Sequence, residues 1–93
     1  MSTDVFDRLE ALLEFPTDFP LKVIGRRVDG FAQAVSDLVR RHAPDFDPAT
    51  MTLRPSAKGN WLSLTVVVRV RSREQLETLY RALDAHELVR TIL

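Results

Sequence analysis

The sequence contains no cysteine. That excludes disulfides and thiolate-held metals, and nothing argues for an oxidising compartment. It also lacks an excess of charge of either sign, with 13 basic side chains against 13 acidic ones. A balanced chain has no general attraction for nucleic acid or an anionic membrane, so any such binding rests on a local patch. No apolar run approaches the roughly 20 residues of a membrane span. The opening stretch, Met1-Ser2-Thr3-Asp4-Val5-Phe6-Asp7, is acidic where a signal peptide is basic and then apolar. The expectation is a cytoplasmic protein with no membrane partner. Histidines are two, His42 and His86, with no partner at metal-ligand spacing. A place at a helix carboxyl end, where positive charge complements the dipole, explains both. No catalytic set and no cofactor is expected.

What is present fits one domain over residues 1–93. The organising stretch is Met51–Arg71, a β-hairpin with Arg54-Pro55-Ser56-Ala57-Lys58-Gly59-Asn60 between its arms. In the second arm Leu62, Leu64, Val66, Val68 and Val70 alternate with Trp61, Ser63, Thr65, Val67 and Arg69. The aliphatic set is the core face, and a one-residue slip would expose all five, so the register is fixed. The first arm is expected over Thr50–Arg54. Upstream, Asp4–Glu14 has the spacing of a short helix, and Leu21–Ile24 reads as a strand closed by Gly25-Arg26-Arg27. Phe31, Ala34, Val35, Leu38 and Val39 then mark a helix started by Asp29 and stopped by Pro44. Asp45–Pro48 reads as a loop with solvated carboxylates. Downstream, Ser72-Arg73-Glu74-Gln75 has the form of a capping box for a helix bearing Leu76, Leu79, Tyr80 and Leu83. Leu88–Leu93 is the last strand.

The order predicts an α+β, ferredoxin-like βαββαβ sandwich. It has a four-stranded antiparallel sheet, two helices on one face and a short amino-terminal helix. The other sheet face is open. It carries Lys22, Ile24, Thr52, Arg54, Trp61, Ser63, Thr65, Val67 and Arg69, plus alternate residues of the last strand. The candidate binding residues are Lys22, Arg54, Ser56, Lys58, Gly59, Asn60, Trp61 and Ser63. Gly59 and Asn60 both tolerate positive φ, which predicts an anion-holding nest of amides beside Lys58 and Arg54. Each reading has a plainer alternative. The loop is then an ordinary hairpin turn, and Trp61 a packing anchor with its indole N–H on a nearby carbonyl. The face is then closed by a second copy or by the amino-terminal segment. The Gly25–Phe31 loop has the placement of an acylphosphatase phosphate cradle, but that family's catalytic arginine falls on Ala34, and Asp29 would repel an anion.

Several stretches resemble a small bacterial family of unknown function, the YbeD-like proteins. They are Leu12–Thr17, Phe19, Lys22-Val23, Gly25, Arg41–Pro44, Pro55–Asn60, Ser63, Glu77–Tyr80, Val89-Arg90 and Leu93. Two positions depart from it: Ala57 stands where a second serine is frequent, and Trp61 where tyrosine is usual. The resemblance implies a ferredoxin-like fold close to ACT domains and carries over no catalytic residue. The expected function is a non-enzymatic regulatory or interaction module. It would work through the open face or a sheet edge, on a protein or small-molecule partner or a second copy in a homodimer. The alternative is RNA or single-stranded nucleic-acid binding by the open face. Neutral charge and a lone aromatic weigh against it.

Overall fold

The computed structural model describes residues 14–93; residues 4–13 of the expected amino-terminal helix lie outside them. The elements are β1 (Thr17–Arg26), α1 (Phe31–His42), β2 (Thr52–Pro55), β3 (Trp61–Val70), α2 (Arg73–Ala85) and β4 (Val89–Ile92). The sheet order is β2-β3-β1-β4, and every pairing is antiparallel. This is the ferredoxin-like arrangement.

The ten-residue pairing of β1 with β3 is the centre of the sheet, running from Thr17↔Val70 to Arg26↔Trp61. Leu62, Leu64, Val66, Val68 and Val70 all point into the core, with Leu62 the most exposed at 8%. Each such side chain gains about 2 kcal/mol on burial, so a register slip would forfeit about 10 kcal/mol. Phe31, Val35 and Val39 of α1 and Leu76, Leu79 and Leu83 of α2 join Leu21 and Val23 against them. Ala43, capping the end of α1, and Phe46, in a segment read as loop, are buried in the same cluster.

Several boundaries differ from expectation, each for a local reason. β1 begins at Thr17 rather than Leu21 and runs through Pro20. The Lys22 N–H donates to Leu93 O at 3.1 Å, on the β4 side. Pro20, two residues earlier, lacks its N–H on that same side, where β4 no longer reaches, so no ladder bond is lost. The first hairpin arm starts at Thr52, because Pro48–Thr50 forms a 3-10 turn. Asp47 Oδ1 accepts from Ala49 N at 3.0 Å, and Thr50 Oγ1 donates to Asp47 O at 2.6 Å. Leu53 takes the helix side but stays 52% exposed, being on an edge strand. Helix α1 starts from Gly30 at φ 87°, not from an Asp29 cap.

The capping box at α2 is half formed. Ser72 Oγ accepts from Gln75 N at 3.1 Å. The Gln75 side chain accepts instead from Arg71 N at 2.7 Å and donates to His42 O at 2.9 Å, tying α2 to the end of α1. Asp45 is paired rather than freely solvated: Arg71 Nη2 donates to its Oδ2 at 2.9 Å. That hydrogen bond holds the Asp45 carboxyl below its ordinary value of 3.8. A carboxylate with a lowered pKa favours the fold above the unfolded-state value, and the contribution is lost as pH falls through the folded one. Arg71→Ala is expected to return the Asp45 titration, followed by carboxyl-carbon NMR, up to the ordinary carboxylate range.

At Gly25 the backbone of β1 is crowded by both the chain before β4 and the first residue of α1. A Cβ there would strike the Leu88 carbonyl oxygen and come within 2.6 Å of the Phe31 ring, which is fully buried and cannot yield. Gly25→Ala is therefore expected to cost about 3 kcal/mol in urea unfolding. Gly30→Ala meets no neighbour within 4 Å and carries only its left-handed backbone, a cost of about 1 kcal/mol. Equal losses would contradict the packing account.

Candidate functional site

Alternation along β1, β2 and β3 sends one set of side chains away from the helices. Cross-strand rows then follow from the register: Thr52, Thr65 and Lys22; Arg54, Ser63 and Ile24; Trp61 and Arg26. The backbone groups of Lys22 and Leu93 exchange both hydrogen bonds, which brings Leu93 into the first row. Lys22, Ile24, Arg54, Pro55, Ser56, Trp61, Ser63 and Leu93 line one shallow hollow of about 320 Å³. Five of the eight expected binding residues therefore meet: Lys22, Arg54, Ser56, Trp61 and Ser63.

The other three, Lys58, Gly59 and Asn60, lie in the hairpin turn and do not line this hollow. The expected amide nest is absent. Only Gly59 takes positive φ, and its amide, the centre of such a cradle, already donates to Ser56 O at 2.9 Å. Ser56 N–H donates to Trp61 O at 2.9 Å, and Trp61 N–H donates to Ser56 Oγ at 3.1 Å. Asn60 O accepts from Arg27 N at 3.0 Å, binding the turn to the end of β1. The Gly59 amide is therefore not free to hold an anion.

Two residues outside the expected set complete the face. The Arg26 guanidinium lies 5.3 Å from the Trp61 ring centroid, and that of Arg90 lies 5.4 Å from it. Arg26 had a legible signal, since it continues the parity of Lys22 and Ile24 along β1. Arg90 had none. Plain alternation places Thr91 opposite Ile24 on the open face and aims Arg90 at the helices. The register instead shifts, with Ile24↔Thr91 followed by Gly25↔Val89. Arg90 is the extra residue of a bulge, which re-aims it onto the open face. Trp61 is thus held by cations rather than by an indole N–H on a carbonyl among the described residues. A second hollow, about 470 Å³, lies beyond this stack between Arg26, Val28, Glu87, Leu88, Val89 and Arg90.

The Trp61 end of the face is cationic and uncompensated, whereas Arg69 at the other end pairs with Asp18 across the strands. Ion pairs among the described residues engage Arg69, Arg71, Arg73 and Arg81, and none involves Lys22, Arg26, Arg54 or Arg90. The Ser63 hydroxyl oxygen is buried in the hollow without a hydrogen-bond partner. No three histidine, aspartate or glutamate side chains gather in metal-binding geometry among the described residues. No helix among them is long and apolar enough to cross a membrane.

Residues 10–93 match the family model described as a protein of unknown function, DUF493. The chain belongs to that family. A UPF0250 protein of Ralstonia nicotianae is 51% identical over 84 residues, 90% of this chain and 87% of the relative. A UPF0250 protein of Neisseria meningitidis serogroup A is 53% identical over 83 residues, 89% of this chain and 91% of the relative. These are the YbeD-like proteins that the sequence motifs resemble, and their names carry no activity. Among solved structures, H. pylori protein HP0495 superposes with a TM-score of 0.67 at 14% identity, covering 87% of this chain and 85% of that one. The ACT domain from GTP pyrophosphokinase of Chlorobium tepidum superposes with a TM-score of 0.62 at 18% identity, covering 82% and 84%. At such identities the likeness establishes the fold: the DUF493 chain is ACT-like.

Because Trp61 is the only tryptophan, its fluorescence reports this cluster alone. The Arg26→Ala, Arg90→Ala double variant is expected to shift Trp61 emission. It should lower stability by no more than about 1 kcal/mol per arginine, since exposed cation–π contacts are worth that little. Unchanged emission would mean that the arginines do not sit on the ring in solution.

Proposed function

We propose that this DUF493 chain is a non-enzymatic regulatory or interaction module that binds its partner through the open face of its sheet. The observation that carries the reading is the side-chain set on that face. One tryptophan flanked by two arginines stands beside Lys22, Arg54 and an unpartnered Ser63 hydroxyl. Tryptophan and arginine are the residues that most often dominate binding surfaces. The ACT-like fold supports it, since this topology covers one sheet face with helices and leaves the other available.

A second copy is a poor occupant of this face. Two-fold pairing would set Lys22, Arg26, Arg54 and Arg90 of one protomer against the same four of its partner, and like charges in contact oppose association. Self-association fits the β2 edge better, where Leu53 is exposed. The test is molar mass by light scattering with Trp61 emission followed across a dilution series. Trp61 emission is expected to stay constant whatever the mass does. Emission that turns solvent-exposed as a dimer dissociates would make the open face an assembly surface and overturn the reading.

A further inference from the structure

We infer that the partner presents carboxylates: the open face is built to receive an acidic, partly apolar segment of another protein. This rests on the reading above and narrows it to one ligand chemistry. Three features carry it. First, Lys22, Arg26, Arg54 and Arg90 share one surface with no carboxylate paired to any of them among the described residues. Glu87 borders the neighbouring hollow and forms no ion pair with either of its arginines. Second, a guanidinium packed over an indole keeps its in-plane N–H fork available, and that fork matches a carboxylate with two parallel hydrogen bonds. Third, apolar groups lie among the cations: Ile24 is half-buried, Val67 is 45% exposed and Leu93 is 74% exposed. A free inorganic anion has no use for them, whereas an acidic segment with leucine-like side chains engages both kinds of group.

The shape of the face also selects among occupants. Small-molecule sites are concave and bury most of their ligand, but this surface is shallow and spread over the strands. A nucleic-acid strand needs free aromatic faces on which bases stack. The one aromatic ring on this face, half-buried, already holds two guanidiniums. Like charge disfavours a second copy. A carboxylate-bearing protein segment is the occupant that matches both kinds of group, drawn from a distance by the cations and held at contact by the arginine forks and the apolar patches.

The test is selection of random twelve-residue peptides on the intact chain, with Trp61 fluorescence as the readout for each selected peptide. The expected result is enrichment of aspartate and glutamate together with leucine, isoleucine or phenylalanine. Selected peptides should perturb Trp61 emission, weaken steeply as salt rises, and bind the Arg26→Ala, Arg90→Ala variant at least about tenfold less tightly. Replacing their Glu and Asp by Gln and Asn should cause a similar loss. Selected peptides that are neutral or basic yet still perturb Trp61 would overturn the carboxylate assignment and leave the face as a binding surface. Peptides that bind without touching Trp61, and equally to the variant, would overturn both. A single-stranded oligonucleotide that perturbs Trp61 more strongly than any peptide would assign the face to nucleic acid instead. Circular dichroism of the variant separates lost binding from lost fold.

Discussion

The ten-residue register between β1 and β3 is the constraint on which everything else depends. It is enforced from the core side, where alternate β3 residues from Leu62 to Val70 are buried against both helices. Because the side-chain period of a strand is two, what is enforced on one face is dictated on the other. Trp61 therefore lands opposite Arg26, and Ser63 opposite Ile24. No interaction among the open-face residues has to be strong for them to be well placed. Hydrophobic burial on the far side of the sheet positions them.

The same coupling explains which parts of the site were legible from sequence and which were not. The hairpin, the open face and the convergence of Lys22, Arg54, Ser56, Trp61 and Ser63 follow from a period-two pattern that can be counted. Arg26 was equally countable, but Gly25 reads as a strand break and hid the continuation of β1 through it. In the structure Gly25 is required for a different reason: the Leu88 carbonyl and the Phe31 ring occupy the space its side chain would fill. Arg90 belongs to another category. Its placement depends on a register shift between Ile24 and Gly25, and a bulge has no periodic signature.

The ends of the elements depart from the local sequence pattern for a related reason, since they are decided by tertiary partners. β1 starts before Leu21 and passes through Pro20, whose ring is tolerated because β4 does not extend alongside it. Gln75 looked like the second half of a capping box, yet its side chain bridges Arg71 and the carbonyl of His42. Phe46 looked like loop, yet the loop folds back far enough to bury it. The expected nest at Gly59 fails because the amide at its centre already donates to Ser56 O. In each case a local rule was overruled by a neighbour that is distant in sequence or invisible to composition.

Charge balance over the whole chain conceals an uneven distribution. On α2, Glu77 is shared between Arg73 and Arg81, while Asp45 serves Arg71 and Asp18 serves Arg69. The compensated arginines thus lie on α2 and toward the Val70 end of β3. Of those without an ion pair among the described residues, Arg40 and Arg41 lie apart on α1, and Arg26, Arg54 and Arg90 gather near Trp61 at the other end of β3. Keeping those cations together is inexpensive in water, where two charges about 10 Å apart repel by only about 0.4 kcal/mol. The ring offsets part of even that by attracting both guanidiniums. A face of this kind is tolerated by the fold, remains attractive to anions over about one Debye length, near 8 Å at physiological salt, and strengthens its contacts when water is excluded by an apolar neighbour. Net neutrality argues against nonspecific adhesion to polyanions, and the local excess at Trp61 argues for a partner that matches it in both charge and apolar surface.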